Sequence, residues 1–204
     1  LCSSGHTNNN GSSSDEQALL ALKNSITSDP SKILSTWNAN TGFCNWTGIS
    51  CNKLMRVSAI DLGSLRLTGS ISPSLENLTF LERLNISDNS FHGVIPELGH
   101  KLSNLKELYL WGNQLSGSVP TSLANCSKLT HLDLGINNLT GTVPLQLGKL
   151  TSLERLLLDH NWLTSTRTSP FLTTLVNCSS LQTLYLGYNR LAEDLSPSIG
   201  KLSS

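Results

Sequence analysis

The chain has 204 residues, of which 14 are Lys or Arg and 14 are Asp or Glu, giving a formal net charge of +0. This balance argues against nucleic acid or an anionic membrane surface as a partner, because both attract an excess of basic residues. The apolar runs are too short for a membrane span, so the sequence predicts no transmembrane helix in this segment.

The N-terminal part is predicted to form a leader and a cap. Residues 1–13 are rich in Ser, Asn and Gly, which favours a disordered leader. Residues 14–56 are assigned to the cap, where Ser14 starts a capping box, the following leucines have helical spacing, and Pro30 lies at the predicted end of the helix. A second short helix is expected at 31–37.

Residues 43–51 read FCNWTGISC, with two cysteines on either side of a tryptophan. This compact segment predicts a disulfide between Cys44 and Cys51, with a modest gain in stability of about 2–3 kcal/mol. Its predicted role is to seal the first edge of the structure that follows, which would otherwise expose core and unpaired strand.

The rest of the chain is periodic. Residues 129–152 contain Leu132 and Leu134 in strand-like alternation, Asn137 where the strand should turn away, and a downstream Gly141 and Pro144. Such self-similarity predicts a leucine-rich-repeat solenoid. Six repeats are assigned, at 57–80, 81–104, 105–128, 129–152, 153–180 and 181–204.

The fifth repeat, 153–180, is irregular and has 28 residues where the others have 24. No closing cap follows the sixth repeat, although solenoids need a polar unit at each end. The sequence therefore predicts either a fragment of a longer protein or a natural short product. The predicted fold class is an α/β repeat, a right-handed solenoid with short parallel strands on its concave face and a helical, disulfide-stapled N-terminal cap.

Two motifs carry a resemblance to a known family. The cap motif C-x-W-x-G-x-x-C at 44–51 and the repeat motif L-x-G-x-I-P resemble plant extracellular leucine-rich-repeat proteins. Residues 171–189, FLTTLVNCSSLQTLYLGYN, resemble the receptor-kinase group that includes flagellin and elongation-factor sensors and a rice bacterial-resistance receptor. The resemblance implies the outer domain of a single-span receptor, whose Ser/Thr kinase would lie outside this chain.

We therefore expect a non-enzymatic, ligand-binding ectodomain fragment of a plant receptor-like kinase in immune or developmental signalling. It would bind a peptide or protein on the concave face, outside the plasma membrane, and a co-receptor would contact later repeats. The alternative is a secreted leucine-rich-repeat inhibitor of a microbial cell-wall hydrolase, released to the apoplast. No phosphate-binding loop, nucleophile elbow or kinase signature is present, and no cofactor is predicted.

Large aromatic and charged residues occupy strand positions that should face outward. Exposed Tyr and Trp are favoured at recognition surfaces, although a solvated surface with stacked aromatics is the plainer interpretation. The ligand-binding candidates are Tyr109, Trp111, His131, Asp133, Asp159, His160, Tyr185 and Tyr188.

Seven N-x-S/T sequons and the stapled cap together favour a secretory route. The N-glycosylation candidates are Asn10, Asn45, Asn77, Asn85, Asn125, Asn138 and Asn177. A glycan on Asn85 would block part of the concave strip, so either this sequon is unoccupied or the binding surface lies further along. Cys126 and Cys178 are predicted to be buried free thiols, and the histidine spacing predicts no metal site.

Overall fold

The computed structural model describes residues 10–165 and 171–192, with side chains from residue 13 onward. Two helices and thirteen strands are labelled in chain order: α1 (Asn10–Ser25), β1 (Ile26–Ser28), β2 (Ile49–Cys51), β3 (Val57–Asp61), β4 (Thr68–Ser70), β5 (Arg83–Asn85), β6 (Ser90–Val94), β7 (Glu107–Tyr109), β8 (Gln114–Gly117), β9 (His131–Asp133), β10 (Asn138–Thr142), β11 (Arg155–Leu157), β12 (Trp162–Thr164), α2 (Phe171–Thr174) and β13 (Thr183–Tyr185). Short 3₁₀ helices connect the strands of successive repeats.

One sheet, here called the inner sheet, runs in the spatial order β13, β11, β9, β7, β5, β3, β2. All its pairs are parallel except that between β2 and β3. Positions 59, 83, 107, 131 and 155 pair in turn, a step of 24 residues, and 155 pairs with 183, a step of 28. The predicted solenoid of short parallel strands is confirmed.

A second sheet, in the order β1, β4, β6, β8, β10, β12, was not predicted. Its segments β6, β8, β10 and β12 begin directly after the turn asparagine of their repeats, and within β10 only Leu139 is fully buried between exposed neighbours. One buried residue among polar ones is too short a pattern to separate a strand from a loop. Gly141 in β10 has a left-handed φ of 79°, at which a β-carbon would be strained.

The core lies between the two sheets and the 3₁₀ helices. In the fourth repeat Leu132, Leu134, Leu139 and Leu147 are completely buried, as the repeat pattern predicts. Each fully buried leucine contributes about 1.5–3 kcal/mol. Neighbouring repeats supply the other half of this contact surface, so stacking rather than any single repeat forms the core.

The predicted disulfide of the cap is present. Cys44 and Cys51 form the disulfide, with their Cα atoms 5.5 Å apart. Trp46, between them in sequence, is buried and stacks on Trp37 at 5.4 Å between ring centroids. Because β2 pairs antiparallel with β3, the stapled segment covers the first edge of the inner sheet. The expected sealing role is confirmed.

The boundaries of the cap helix differ from the prediction. Helix α1 starts at Asn10 rather than Ser14 and ends at Ser25, before the predicted stop at Pro30. The next three residues form β1, which pairs antiparallel with β4 and covers the first edge of the second sheet. Asp15 therefore lies inside the helix rather than in its first turn, and it is buried against Arg56.

The second short helix is present as a 3₁₀ helix at Ile33–Thr36, with both Asp29 carboxylate oxygens accepting backbone N–H groups at its start. Three predicted segments fall outside the described residues: most of the leader at 1–9, part of the irregular repeat at 166–170, and the end of the sixth repeat at 193–204.

Candidate ligand-binding surface

The last residues of the strands β5, β7, β9, β11 and β13 lie in one register across the inner sheet, and three of them are predicted ligand-binding residues. Successive strands pair Asn85 with Tyr109, Tyr109 with Asp133, Asp133 with Leu157, and Leu157 with Tyr185. Tyr109 and Asp133 are half-buried among their neighbours, whereas Tyr185 on the last described strand is 57% exposed. The inner sheet therefore presents these side chains side by side on one rigid surface.

Tyr109 is the centre of a charged and aromatic cluster. The Arg83 guanidinium lies 5.3 Å from its ring centroid and 3.4 Å from the Glu107 carboxylate, and the His131 ring lies 6.2 Å away. Burial raises the pKa of Tyr109, Glu107 adds to this, and Arg83 opposes it. The phenol stays protonated and can donate a hydrogen bond. Arg83 was not among the predicted site residues. It occupies the outward position just before Leu84 of β5.

Three candidate side chains from three repeats converge over Gly135. A β-carbon on this glycine would lie 3.0 Å from Asp159 Oδ1, 3.2 Å from Trp111 Cδ1 and 3.4 Å from Asp133 Oδ1. The missing side chain lets the indole ring and the two carboxylates pack tightly over the backbone, and these three side chains are here called the Gly135 cluster. Gly135 itself is buried, whereas Asp133 and Asp159 are half-buried and Trp111 is 37% exposed, so the outer side of the cluster is open to solvent.

The Gly135 cluster is electronegative. Burial raises the pKa of Asp133, the Gly135 N–H at 3.1 Å from Asp133 Oδ1 opposes this, and the nearby Asp159 charge adds to it. Among the ion pairs of the described residues, Asp159 has one partner, the ring of its sequence neighbour His160 at 2.9 Å. A positively charged group placed against the exposed side of the cluster would relieve the repulsion between the carboxylates and could stack on Trp111.

Replacing Asp133 by Asn is expected to raise the melting temperature at neutral pH by about 1–3 °C. A raised folded pKa means that the folded state holds the proton more tightly, so ionisation of Asp133 favours unfolding. The gain from Asp133→Asn should be complete above the folded pKa. It should disappear as the pH falls to the unfolded value of about 3.9.

Thermal melts of both chains between pH 3 and pH 8 would measure this difference. Glu154→Gln removes the same charge from the residue just before the neighbouring strand β11 and serves as the control, with no comparable pH-dependent gain expected. A gain of equal size at pH 3 and pH 7, or a loss of stability at pH 7, would contradict the proposed effect of the carboxylate.

Four of the predicted residues do not lie on the strands, which corrects their predicted strand positions. Trp111 and Asp159 lie two residues past the ends of β7 and β11, and His160 and Tyr188 lie three residues past the ends of β11 and β13. The last two also leave the inner-sheet surface. They occupy the turn after each strand, with left-handed φ values of 52° and 54°. Their rings stack at 4.1 Å and turn toward the second sheet, where Arg190 lies 4.4 Å above the Trp162 ring. His160, Tyr188, Trp162 and Arg190 are here called the lateral cluster, and they line a cavity of about 440 Å³ together with Asn138.

Trp162 and Arg190 were not among the predicted site residues, although their shared position in the repeat could have indicated them. Each directly follows the turn asparagine of its repeat, Asn161 or Asn189. Comparing that one position between the fifth and sixth repeats would have placed the two side chains next to each other. The eight predicted residues thus separate into an inner-sheet group and a lateral pair, and the ligand-binding role of both stays a prediction.

The Asn85 sequon lies on the inner sheet. Its amide nitrogen donates to Asp61 Oδ1 at 2.9 Å, and its oxygen accepts from the Ser87 hydroxyl at 2.6 Å. These bonds hold the side chain between Asp61 and Ser87 on the face of the inner sheet. Both alternatives, an unoccupied sequon and a binding surface further along, stay predictions. Asn45, Asn125, Asn138 and Asn177 are exposed, and Asn77 is half-buried.

Cys126 and Cys178 are buried free thiols, as predicted. Burial raises the pKa of Cys126 to about 11 and also raises that of Cys178. The thiols are therefore protonated at neutral pH and pack as small apolar residues.

No helix of the described residues is long and apolar enough to cross a bilayer. Over 10–165 and 171–192, no three His, Cys, Asp or Glu side chains come together in a way that would hold a metal ion.

Three family models match the chain. A leucine-rich-repeat N-terminal domain matches residues 12–52, and two leucine-rich-repeat models match 103–163 and the pair of segments 80–102 and 180–202. The LRR receptor-like serine/threonine-protein kinase EFR of Arabidopsis thaliana is 43% identical over 94 residues, which are 45% of this chain and 9% of that protein. The chain spans about a tenth of the length of the curated relatives it matches.

Solved structures of plant leucine-rich-repeat ectodomains match a larger share of this chain. The BIR2 ectodomain of Arabidopsis thaliana is 32% identical with a TM-score of 0.74, over 87% of this chain and 94% of that one. The Arabidopsis receptor kinase HAESA, solved with the peptide hormone IDA and the co-receptor SERK1, is 34% identical with a TM-score of 0.81, over 92% of this chain and 32% of that one.

Proposed function

Because the chain belongs to the family of plant leucine-rich-repeat receptor kinase ectodomains, we propose that it binds a peptide or protein ligand on its inner sheet. The observation that supports this most directly is the row of aromatic and acidic side chains formed by Tyr109 and the Gly135 cluster. Their contacts leave ring faces and carboxylate oxygens available to a ligand. A rigid sheet presents them in fixed positions, so little side-chain entropy is lost on binding.

The chemistry of this row indicates which ligand group it accepts. The Gly135 cluster combines the partly exposed indole ring of Trp111 with two carboxylates, which suits the ammonium of a lysine or the guanidinium of an arginine. Next to it, Tyr109 offers a phenol donor and Arg83 a charged group that carboxylates or backbone carbonyls can contact. We therefore propose a peptide with a basic side chain, lying across the strands of the third to fifth repeats.

The experiment is a binding screen with the chain secreted from plant cells and immobilised. A peptide library carrying Lys, Arg or neutral residues at each position would be applied, and bound peptides identified by mass spectrometry. Basic peptides should be enriched. Trp111→Ala should weaken their affinity by about tenfold or more, because a partly exposed tryptophan beside charged groups is a typical binding hot spot.

Trp162→Ala is the control, since it removes a tryptophan outside the inner sheet that is 50% exposed, against 37% for Trp111. Gly135→Ala is a second test, because its added methyl would displace the Asp159 and Trp111 side chains without removing any polar group. Two results would contradict the assignment of this surface. One is enrichment of peptides with no preference for Lys or Arg, and the other is an unchanged peptide affinity in both Trp111→Ala and Gly135→Ala.

We also propose that the complete protein is a plasma-membrane receptor with an intracellular Ser/Thr kinase, acting in immune or developmental signalling with a co-receptor. The relation to EFR and the arrangement in the HAESA complex support this. An antibody to this chain should detect a large, glycosidase-sensitive band in the membrane fraction. A small soluble band in the extracellular fluid would contradict the proposal of a receptor. The alternative, inhibition of a microbial cell-wall hydrolase, should then be assayed.

A further inference from the structure

The Asn138 sequon opens directly onto the lateral cluster. Asn138 and Thr140 lie on the exposed face of β10, with the buried Leu139 between them. Thr140 is the register partner of Trp162 in β12, which is 50% exposed. Asn138 and Trp162 line the same cavity, so the indole ring is within reach of a sugar ring attached to the asparagine.

The aromatic rings of the lateral cluster keep free surfaces. Arg190 covers one face of Trp162, and His160 covers one face of Tyr188, which is still 80% exposed. Two large rings so exposed beside a cavity of about 440 Å³ form an amphipathic surface. Sugars suit such a surface, because their C–H faces stack on aromatic rings while their hydroxyl and acetamido groups can pair with donors such as the Arg190 guanidinium.

We propose that the N-glycan of Asn138 folds back onto the lateral cluster, with its first N-acetylglucosamine residues packed against Trp162 and Tyr188. Covalent attachment gives the sugar a high effective concentration at this surface, so it competes successfully with free partners. His160 and Tyr188 then belong to a glycan-covered side of the solenoid. The ligand surface is confined to the inner-sheet group.

The test uses the whole chain secreted from plant cells, digested with a peptide N-glycosidase under native conditions. Site-by-site release is followed by mass spectrometry. Release at Asn138 should be about fivefold to tenfold slower than at the exposed Asn125 and Asn45, because a stacked sugar resists extraction into the enzyme. Tyr188→Asn should accelerate release at Asn138 by the same factor while keeping a residue that tolerates the left-handed backbone.

Trp162→Thr should give the same acceleration with a residue suited to a strand, and release at Asn125 reports on folding in both variants. Rates at Asn138 that match the exposed sites, or that stay slow in both variants, would overturn the proposal, as would an empty Asn138 beside occupied Asn45 and Asn125. The proposal rests on the secretory route of the proposed function. That route itself would fail if every sequon were empty.

Discussion

Replacing Asn137 by Ala is expected to lower the free energy of unfolding by about 3–4 kcal/mol. The Asn137 side chain is almost completely buried, and its amide nitrogen donates to the carbonyl oxygens of Leu110, Leu134 and Gly135 at 3.0–3.2 Å. Its oxygen accepts the Leu115 N–H at 3.0 Å. Alanine would leave that N–H buried without a partner and would remove the three donated bonds, so two bonds to the preceding repeat, those with Leu110 and Leu115, would be lost.

Urea unfolding of both chains, followed by circular dichroism, would measure this loss. Asn138→Ala is the matched control, because it truncates an exposed asparagine one position further along, and in unglycosylated protein it should change stability by less than about 0.5 kcal/mol. A cost below 1 kcal/mol for Asn137→Ala would show that water or a shifted backbone replaces the amide.

The role of Asn137 could be predicted from sequence because its function is local and repeated. An amide at the end of each strand has both donors and an acceptor, and Asn113 and Asn161 make the same set of bonds in their own repeats. The inner sheet, its buried leucines and the capping staple were predictable for the same reason. The second sheet was not, because β10 buries one leucine and its pairing depends on neighbouring repeats.

The candidate surface was predictable where side-chain alternation applies. Along β7 and β9 a period of two places Tyr109 and Asp133 outward in register. Past the strand end the period fails, because the backbone of His160 and Tyr188 enters the left-handed region and redirects both rings. The convergence over Gly135 also needed coordinates, since it joins side chains from three repeats that no local pattern connects.

Asp15→Asn is expected to cost about 3 kcal/mol, the second of the two largest effects. Asp15 is completely buried in α1, with Oδ1 2.7 Å from Arg56 Nη2 and Oδ2 2.8 Å from Arg56 Nε. Oδ2 also accepts the Val57 N–H at 2.9 Å, where β3 begins. The hydrogen bonds that Arg56 donates to Asp15 raise the pKa of Arg56, so the guanidinium stays charged. The side-chain amide of an asparagine could accept only one of the two hydrogen bonds that Arg56 donates, because its N–H group would point at the other guanidinium nitrogen.

The cost should lie near the lower end of the range for buried pairs, because Arg56 retains 17% exposure and rests on the Phe80 ring at 4.6 Å. Glu16→Gln, one residue along the same helix, removes an equal charge and should cost less than about 0.5 kcal/mol. The decisive comparison adds Arg56→Leu to the Asp15→Asn chain. If an uncompensated buried guanidinium causes the loss, the second substitution should cost little or restore stability. Additive costs would instead show that each side chain stabilises the junction of cap and first repeat independently, through packing rather than through the ion pair.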